Sequence, residues 1–436
     1  MIPALTLALA VSSCPTGAEA GGACRLTLAE AVARARAASP RLARLVALED
    51  AADASRRGAR AERLPTLGLT GAYSRNSNVE EFVVPQPGQP DLVVFPNLPN
   101  QWSTRAEINL PVYTGGRVGA SIDATAAQHD AARHDRIAGG ADLDLEVASS
   151  YWNLAALREG ERVLREAIAS YEAHLKDATN LFETGMAARN DLLAVQVERD
   201  RAELDRLQAE VEAEVENANL VRLLHLPPAT RVEPVAEGDT HDPDADVETL
   251  VGPALDARAE VRSLRARVAA ADASIKVARA SALPQASVQG RYDYANPSQR
   301  IFPLEGVWRD TWSLGIGVSW TAFDGGRTSA ATARARAQAE ATRRELDDLE
   351  QRIRLEVTAR ALAVRTARAS QRVAARSVEA ARENVKVSQD RYQAGVSPSS
   401  DLLDAETRLL RAGLDETRAT TRLRVAKAQL DRAVGR

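Results

Sequence analysis

This chain of 436 residues has little of what active sites and compact mixed cores are usually made from. It has two cysteines, Cys14 and Cys24, so no disulfide framework is implied. Its five histidines, His129, His134, His174, His225 and His241, form no ligand constellation with either cysteine and read as solvated surface residues. No nucleophile–base pair stands out, so neither an enzyme nor a metal or cofactor site is expected. Aromatic residues are only 4% of the chain, which argues against one large mixed core. The net charge of −4 carries no basic bias, so a nucleic-acid partner is not expected. No stretch offers about 18 apolar residues free of charge, so no membrane-spanning helix is expected. A closed β-barrel is then the remaining way for such a chain to cross a bilayer.

What the chain does have is Ala, Arg, Glu and Leu in long periodic stretches. One helix is expected from about Arg327 to Tyr392, followed by a turn through Gly395, Val396, Ser397 and Pro398. A second is expected from about Arg117 to Phe182, with a turn through Gly185, Met186, Ala187 and Ala188. At 1.5 Å per residue, about 66 helical residues reach on the order of 100 Å. The seams are in register: Leu154, Leu157, Glu161, Leu164, Ile168, Tyr171, Leu175, Ala178 and Phe182 answer to Val364, Ala367, Gln371, Ala374, Val378, Ala381, Val385, Ser388 and Tyr392. Steps of three and four are the heptad signature of a left-handed coiled coil. An ordinary coiled-coil rod gives the same periodicity.

Four segments alternate with period two instead. Leu67, Leu69 and Tyr73 share a face of a strand at about 66–75. Trp102, Thr104, Ala106, Ile108, Leu110 and Val112 share a face at about 102–113. The third, at about 285–294, aligns Ala286, Val288, Tyr292 and Tyr294. The fourth, at about 311–323, aligns Trp312, Leu314, Ile316, Val318 and Trp320. Each is long enough to cross a bilayer as a tilted strand, and aromatics stand near the ends of the apolar faces. A half-buried sheet in a soluble protein gives the same alternation. Proline-containing loops at 76–101 and 296–310 read as irregular caps. At the other end of each hairpin, Gly115-Gly116-Arg117 and Gly325-Gly326-Arg327 permit a sharp strand-to-helix change.

The repeated order divides the chain. Residues 1–20 read as an export signal, with the apolar run Ile2–Val11 and a small-residue cleavage site at Ala18-Glu19-Ala20. Val11-Ser12-Ser13-Cys14 also resembles a lipoprotein box, with Cys14 as the candidate lipid-bearing residue. If Cys14 leaves with the signal, Cys24 is a lone thiol. Residues 21–228 form the first repeat, 229–245 a linker and 246–436 the second repeat. Thr27-Leu28-Ala29-Glu30 reads as a capping box opening the first helix, which breaks at Ser39-Pro40. Asp246 is a candidate N-cap in the second half.

Four strands cannot close a barrel, and an open edge in lipid leaves N–H and C=O groups unpaired at several kcal/mol each. Copies must therefore join around an axis. The order helix, strand, strand, long helix, turn, return helix, twice over, resembles the TolC family of outer-membrane efflux proteins. The residues that carry the resemblance are the two Gly-Gly-Arg junctions, Thr27-Leu28-Ala29-Glu30-Ala31, and Tyr392-x-x-Gly395 followed by Asp401-Leu402-Leu403-Asp404-Ala405. The resemblance implies a membrane β-barrel continued by a long α-helical barrel: a homotrimer, four strands per protomer, twelve in all, set in outer-membrane lipid. It implies a passive exit duct served by a periplasmic adaptor (membrane fusion) protein and an inner-membrane efflux pump or ABC exporter. A non-transporting envelope scaffold is the rival reading, and a type I secretion duct shares the fold.

By the same resemblance, Asp401 and Asp404 line a closed aperture as acidic rings, and Tyr392 and Asp191 tie neighbouring hairpins together. Gly185, Arg189, Gly395 and Ser397 fall in the tip turns that meet the adaptor. Ser397 stands where the family's tie uses an arginine, and Arg189 is a candidate substitute. An Asp just past a turn also reads as an N-cap, which is the alternative for Asp191 and Asp401.

Overall fold

The structure is a computed structural model that describes residues 23–88, 90, 92–235 and 247–436. The expected export signal, Cys14, His241 and Asp246 lie outside the described residues. In chain order the elements are β1 (Ala23–Leu26), α1 (Leu28–Ala38), α2 (Pro40–Ala61), β2 (Thr66–Arg75), β3 (Phe82–Val84), β4 (Leu92–Phe95), β5 (Asn100–Tyr113), α3 (Arg117–Glu183) and α4 (Arg189–Leu223). Then follow β6 (Arg231–Pro234), α5 (Val247–Ala257), α6 (Ala259–Ala280), β7 (Gln285–Asn296), β8 (Arg309–Ser319), α7 (Arg327–Gln393) and α8 (Ser399–Val434). Among the described residues, no helix is long and apolar enough to cross a membrane.

The chain forms two compact units. Of the described residues, those up to 46, within 134–262 and within 347–436 form one; those within 47–133 and 263–346 form the other. The first unit is helical around a core that includes Leu26, Val147, Tyr151, Leu154, Leu220 and Val232. α1 opens on the expected capping box: the Glu30 N–H donates to Thr27 Oγ1 at 3.2 Å, and the Thr27 N–H donates to Glu30 Oε2 at 2.9 Å. β1 and β6 pair in parallel, so part of the expected linker is a strand. Cys24 is fully buried in β1.

A chain of ion pairs crosses the same unit. Arg432 of α8 donates to Asp142 of α3 at 2.7 and 2.9 Å and to Glu260 of α6. Arg258 donates to Glu260 at 3.2 Å and to Glu356 of α7. Burial works against the Glu260 charge, but hydrogen bonds from Arg258 and Arg432 outweigh it and hold the carboxyl down at about 2. The folded value lies below the ordinary 4.5, so this contribution is full above pH 4.5 and is lost as pH falls toward 2. The melting temperature is therefore expected to drop on acidification through that window, and Glu260→Gln to flatten the drop. Parallel thermal melts of the two proteins between those pH values check it; identical acid slopes would remove Glu260 from the account.

The second unit is built on one antiparallel sheet in the order β2-β5-β7-β8. A separate hairpin of β3 and β4 lies in the first proline-containing loop, which is therefore not wholly irregular. β8 ends at Ser319, short of the expected 323. The Trp320 indole N–H instead donates to the Ala282 carbonyl at 3.1 Å, at the exit of α6.

Candidate functional site

The sheet of the second unit separates its chemistry by face. Residues opposite one another in a ladder share a side. Leu67 faces Ile108, Leu69 faces Ala106 and Tyr73 faces Trp102. Ile108 in turn faces Gly290, Ala106 faces Tyr292 and Leu110 faces Val288. Tyr292 faces Trp312, and Val288 faces Ile316. One continuous apolar face results, and it is open: Leu69, Trp312 and Leu314 are each 72% exposed. The other face is charged. Arg105 Nε lies 2.5 Å from Asp293, and Arg291 lies 3.7 Å from Glu107. β2 and β8 each offer one edge without a ladder partner among the described residues. Aromatic pairs sit toward one end of the strands, Tyr73–Trp102 at 4.2 Å and Tyr294–Trp308 at 4.8 Å between ring centroids.

At the strand-to-helix junctions Gly115, Gly116, Gly325 and Gly326 all have positive φ, from 61° to 88°. The chain turns there through conformations that an L side chain resists. The helices that follow are capped at matching positions. The Val118 N–H donates to Thr114 Oγ1 at 3.3 Å, and the Thr328 N–H donates to Asp324 Oδ2 at 2.8 Å.

In the first unit the two tip turns are built alike. The Gly185 N–H donates to the Phe182 carbonyl at 2.9 Å, and the Met186 N–H to that of Leu181 at 2.8 Å. Gly395 and Val396 repeat the pattern on Tyr392 and Arg391, both at 2.9 Å. This is the Schellman stop, with glycine at φ 74° and 71° in the left-handed position. It leaves Met186 and Val396 exposed at the tips, 72% and 69%. The capping alternative for the two acids is corrected. Ala188 and Pro398 hold the N-cap positions and make no side-chain cap bond. Asp191 and Asp401 come three residues later, in the first turn, where a carboxylate suits the helix dipole. Asp401 is exposed and has no side-chain partner among the described residues. Asp404 is exposed and stands 3.6 Å from Arg408, a surface pair of small consequence.

Behind the second tip lies a buried polar cluster that corrects the reading of His174 as a surface residue. His174 of α3 is 3% exposed. Its Nδ1 is 2.9 Å from Glu406 Oε2, and its Nε2 is 2.9 Å from Ser399 Oγ, both on α8. The Ser170 hydroxyl donates to Glu406 Oε1 at 2.6 Å. Tyr392 of α7 packs its ring edge-on against the imidazole, 5.3 Å between centroids. Serine, imidazole and carboxylate stand in the order of a hydrolytic triad, but Ser399 is 5% exposed and sealed between helices. The cluster is therefore a tie among three helices. Its signal was in the chain: Tyr171, His174 and Ala178 step three and four, so the buried stripe is wider than one seam.

Tyr392 and Asp191 are brought within electrostatic range. Burial pushes the Tyr392 phenol up, the nearby Ser399 hydroxyl opposes this, and the Asp177 and Asp191 charges add to the rise. The alignment with Ser399 falls short of a hydrogen bond, and Tyr392 Oη is buried without a partner. Ser397 Oγ, at the position of the expected arginine, is likewise buried and unpartnered. Arg189, the first residue of α4, is exposed, and its side chain has no ion-pair partner among the described residues.

The family model described as outer membrane efflux protein matches residues 31–224 and 250–436. The outer membrane protein TolC of Vibrio cholerae is 24% identical over 414 residues, 94% of this chain and 90% of that protein. The alkaline protease secretion protein AprF of Pseudomonas aeruginosa is 26% identical over 305 residues, 67% of this chain and 62% of that protein. Among solved structures, the outer membrane protein VceC of Vibrio cholerae superposes with a TM-score of 0.79 at 19% identity, covering 94% of this chain and 96% of that one.

Proposed function

The chain belongs to the outer membrane efflux protein family, and on that footing we propose that three copies close a twelve-stranded barrel continued by a tunnel of their long helices. It is an outer-membrane channel, and the family is one of channel proteins rather than enzymes. The observation that carries the reading is the sheet: an apolar face open on one side, ion pairs on the other, and two edges that lipid cannot leave unpaired. Neighbouring copies supply the missing edge partners, and the charged face lines the passage. A coiled-coil scaffold without a pore has no use for such a face. The duct is passive, and a periplasmic adaptor and an inner-membrane pump or ABC exporter supply the drive. The relationship to a protein named for protease secretion favours protein export as the second reading beside small-molecule efflux.

Each tandem repeat, 21–228 and 246–436, contributes two strands and one tip. Asp401 and Asp404 gather as acidic rings at the narrow end, and Tyr392 with Asp191 fastens neighbouring hairpins. Gly185, Arg189, Gly395 and Ser397 meet the adaptor, together with the exposed Met186 and Val396. The buried, unpartnered hydroxyls of Tyr392 and Ser397 suit a contact that a neighbouring copy completes. Cys14 remains the candidate lipid site.

Purified trimer in planar bilayers is expected to conduct, and a trimer without conductance ends the reading. Convergent carboxylates attract cations into a pore mouth. Asp401→Asn with Asp404→Asn is therefore expected to relieve block by multivalent cations about tenfold or more, a loss of at least ~1.4 kcal/mol of binding. Unchanged block would place both residues away from the aperture.

A further inference from the structure

An open cleft of about 650 Å³ lies in the first unit between α3, β6 and α8. Arg158, Arg231 and Arg424 stand on its three sides. Trp152 forms part of the wall. Its indole is braced edge-on by Tyr151, 5.0 Å between centroids, and carries the Arg424 guanidinium 4.3 Å from its own ring centre. None of the three side chains makes an ion pair or hydrogen bond among the described residues.

The carboxylates nearby are mostly engaged. Glu159 takes Arg162 at 2.6 Å, Glu233 takes Arg25 at 3.1 Å, and Glu161 takes Arg165 at 2.6 Å. Among the described residues, Glu416 is the one lining carboxylate without a partner. Arg158 is half-buried, and burial pushes its guanidinium below the ordinary range; Arg231 pushes the same way, while Glu233 and Glu161 oppose. The Thr417 and Thr421 hydroxyls donate to helix carbonyls, whereas Thr420 is unengaged. Like charges drawn together beside a cleft raise the energy of the empty protein, and an anion placed between them lowers it.

We propose that this cleft is an oxyanion-binding site for a carboxylate- or phosphate-bearing ligand of roughly dipeptide size, gripped by Arg158 and Arg231 and laid against the Trp152–Arg424 stack. Guanidinium groups suit this task, because their planar forks make paired charge-assisted hydrogen bonds to such oxygens. Thr420 adds a neutral donor. The site stands apart from the tip turns, so its ligand modulates or anchors the protein rather than passing through it.

Calorimetric titration of the intact detergent-solubilised trimer tests this with three probes: glutamyl-glutamate, inorganic phosphate and the neutral glutaminyl-glutamine. Saturable binding of either anionic probe, absent for the neutral one and weakened by salt, supports the site, and the tighter anion identifies the source. Arg158→Gln is expected to weaken that probe about tenfold, or ~1.4 kcal/mol. Arg231→Gln, at an exposed strand position, is expected to do the same without disturbing the fold. Absence of saturation by both anions overturns the proposal, as does unchanged binding by the Arg158→Gln/Arg231→Gln protein. Conductance enters neither outcome, so the test is independent of the channel reading.

Discussion

Leu314→Lys is expected to abolish trimer in the outer membrane and with it all conductance. Leu314 is the middle residue of β8, 72% exposed, opposite Gly290 on the apolar face. A lysine at the midplane of a lipid-facing strand costs about 2–4 kcal/mol. Three copies meet in one barrel, so the penalty enters three times, against a net stability of only about 5–15 kcal/mol for an ordinary domain. Gly290 offers no side chain behind which the ammonium could shelter. The control is Gln289→Lys, on the charged face opposite Asn109 and Gly315, which is expected to leave trimer yield unchanged. Trimer on semi-native gels of membrane fractions, followed by single-channel recording, reads both. Wild-type yield and conductance from Leu314→Lys would mean that this face does not meet lipid.

The sheet was legible in the sequence because its two faces have opposite solvents. Where one side must be apolar and the other polar, alternation survives in the residues themselves, and β2 spans Thr66–Arg75 as expected. The end of β8 was not legible, since Trp320 continues the alternation but leaves the ladder for a hydrogen bond at the end of α6. The β1–β6 pair was invisible for a different reason. Each strand has four residues, the partners are more than 200 positions apart, and no turn connects them to mark the pairing. The β3–β4 hairpin was hidden by the prolines around it.

At the tips, the glycines were read correctly because a left-handed stop selects for one residue type. The N-cap alternative for Asp191 and Asp401 fails in the structure, because Asp serves equally as an N-cap and as a first-turn residue. The choice fell to Pro398 and Ala188, whose side chains offer no oxygen to accept a cap bond. The His174 cluster escaped because its members come from α3 and α8, more than 200 positions apart in sequence. No spacing rule connects Ser170 to Glu406; only the folded hairpins do.

That cluster carries the other large effect. His174→Ala is expected to loosen the second tip and raise the resting conductance of the closed channel. The substitution leaves Glu406, 7% exposed, with Ser170 as its remaining hydrogen-bond partner, and frees the Ser399 hydroxyl at the first turn of α8. An orphaned buried polar group costs about 1–3 kcal/mol, and more when it is charged. The space left under the Tyr392 ring adds a cavity term. Because α8 begins at Ser399, directly after the turn that holds Ser397 and Pro398, the loss falls on the segment proposed to form the entrance. Hydrogen exchange across residues 390–406 is expected to accelerate in His174→Ala while the α6–α8 ion-pair region keeps its protection. Replacing both partners, His174→Leu with Glu406→Leu, removes the orphan instead of creating one, and exchange is expected to return most of the way to wild type. If His174→Ala exchanges like the unaltered protein, the cluster does not hold the tip, and the entrance is fastened by other contacts.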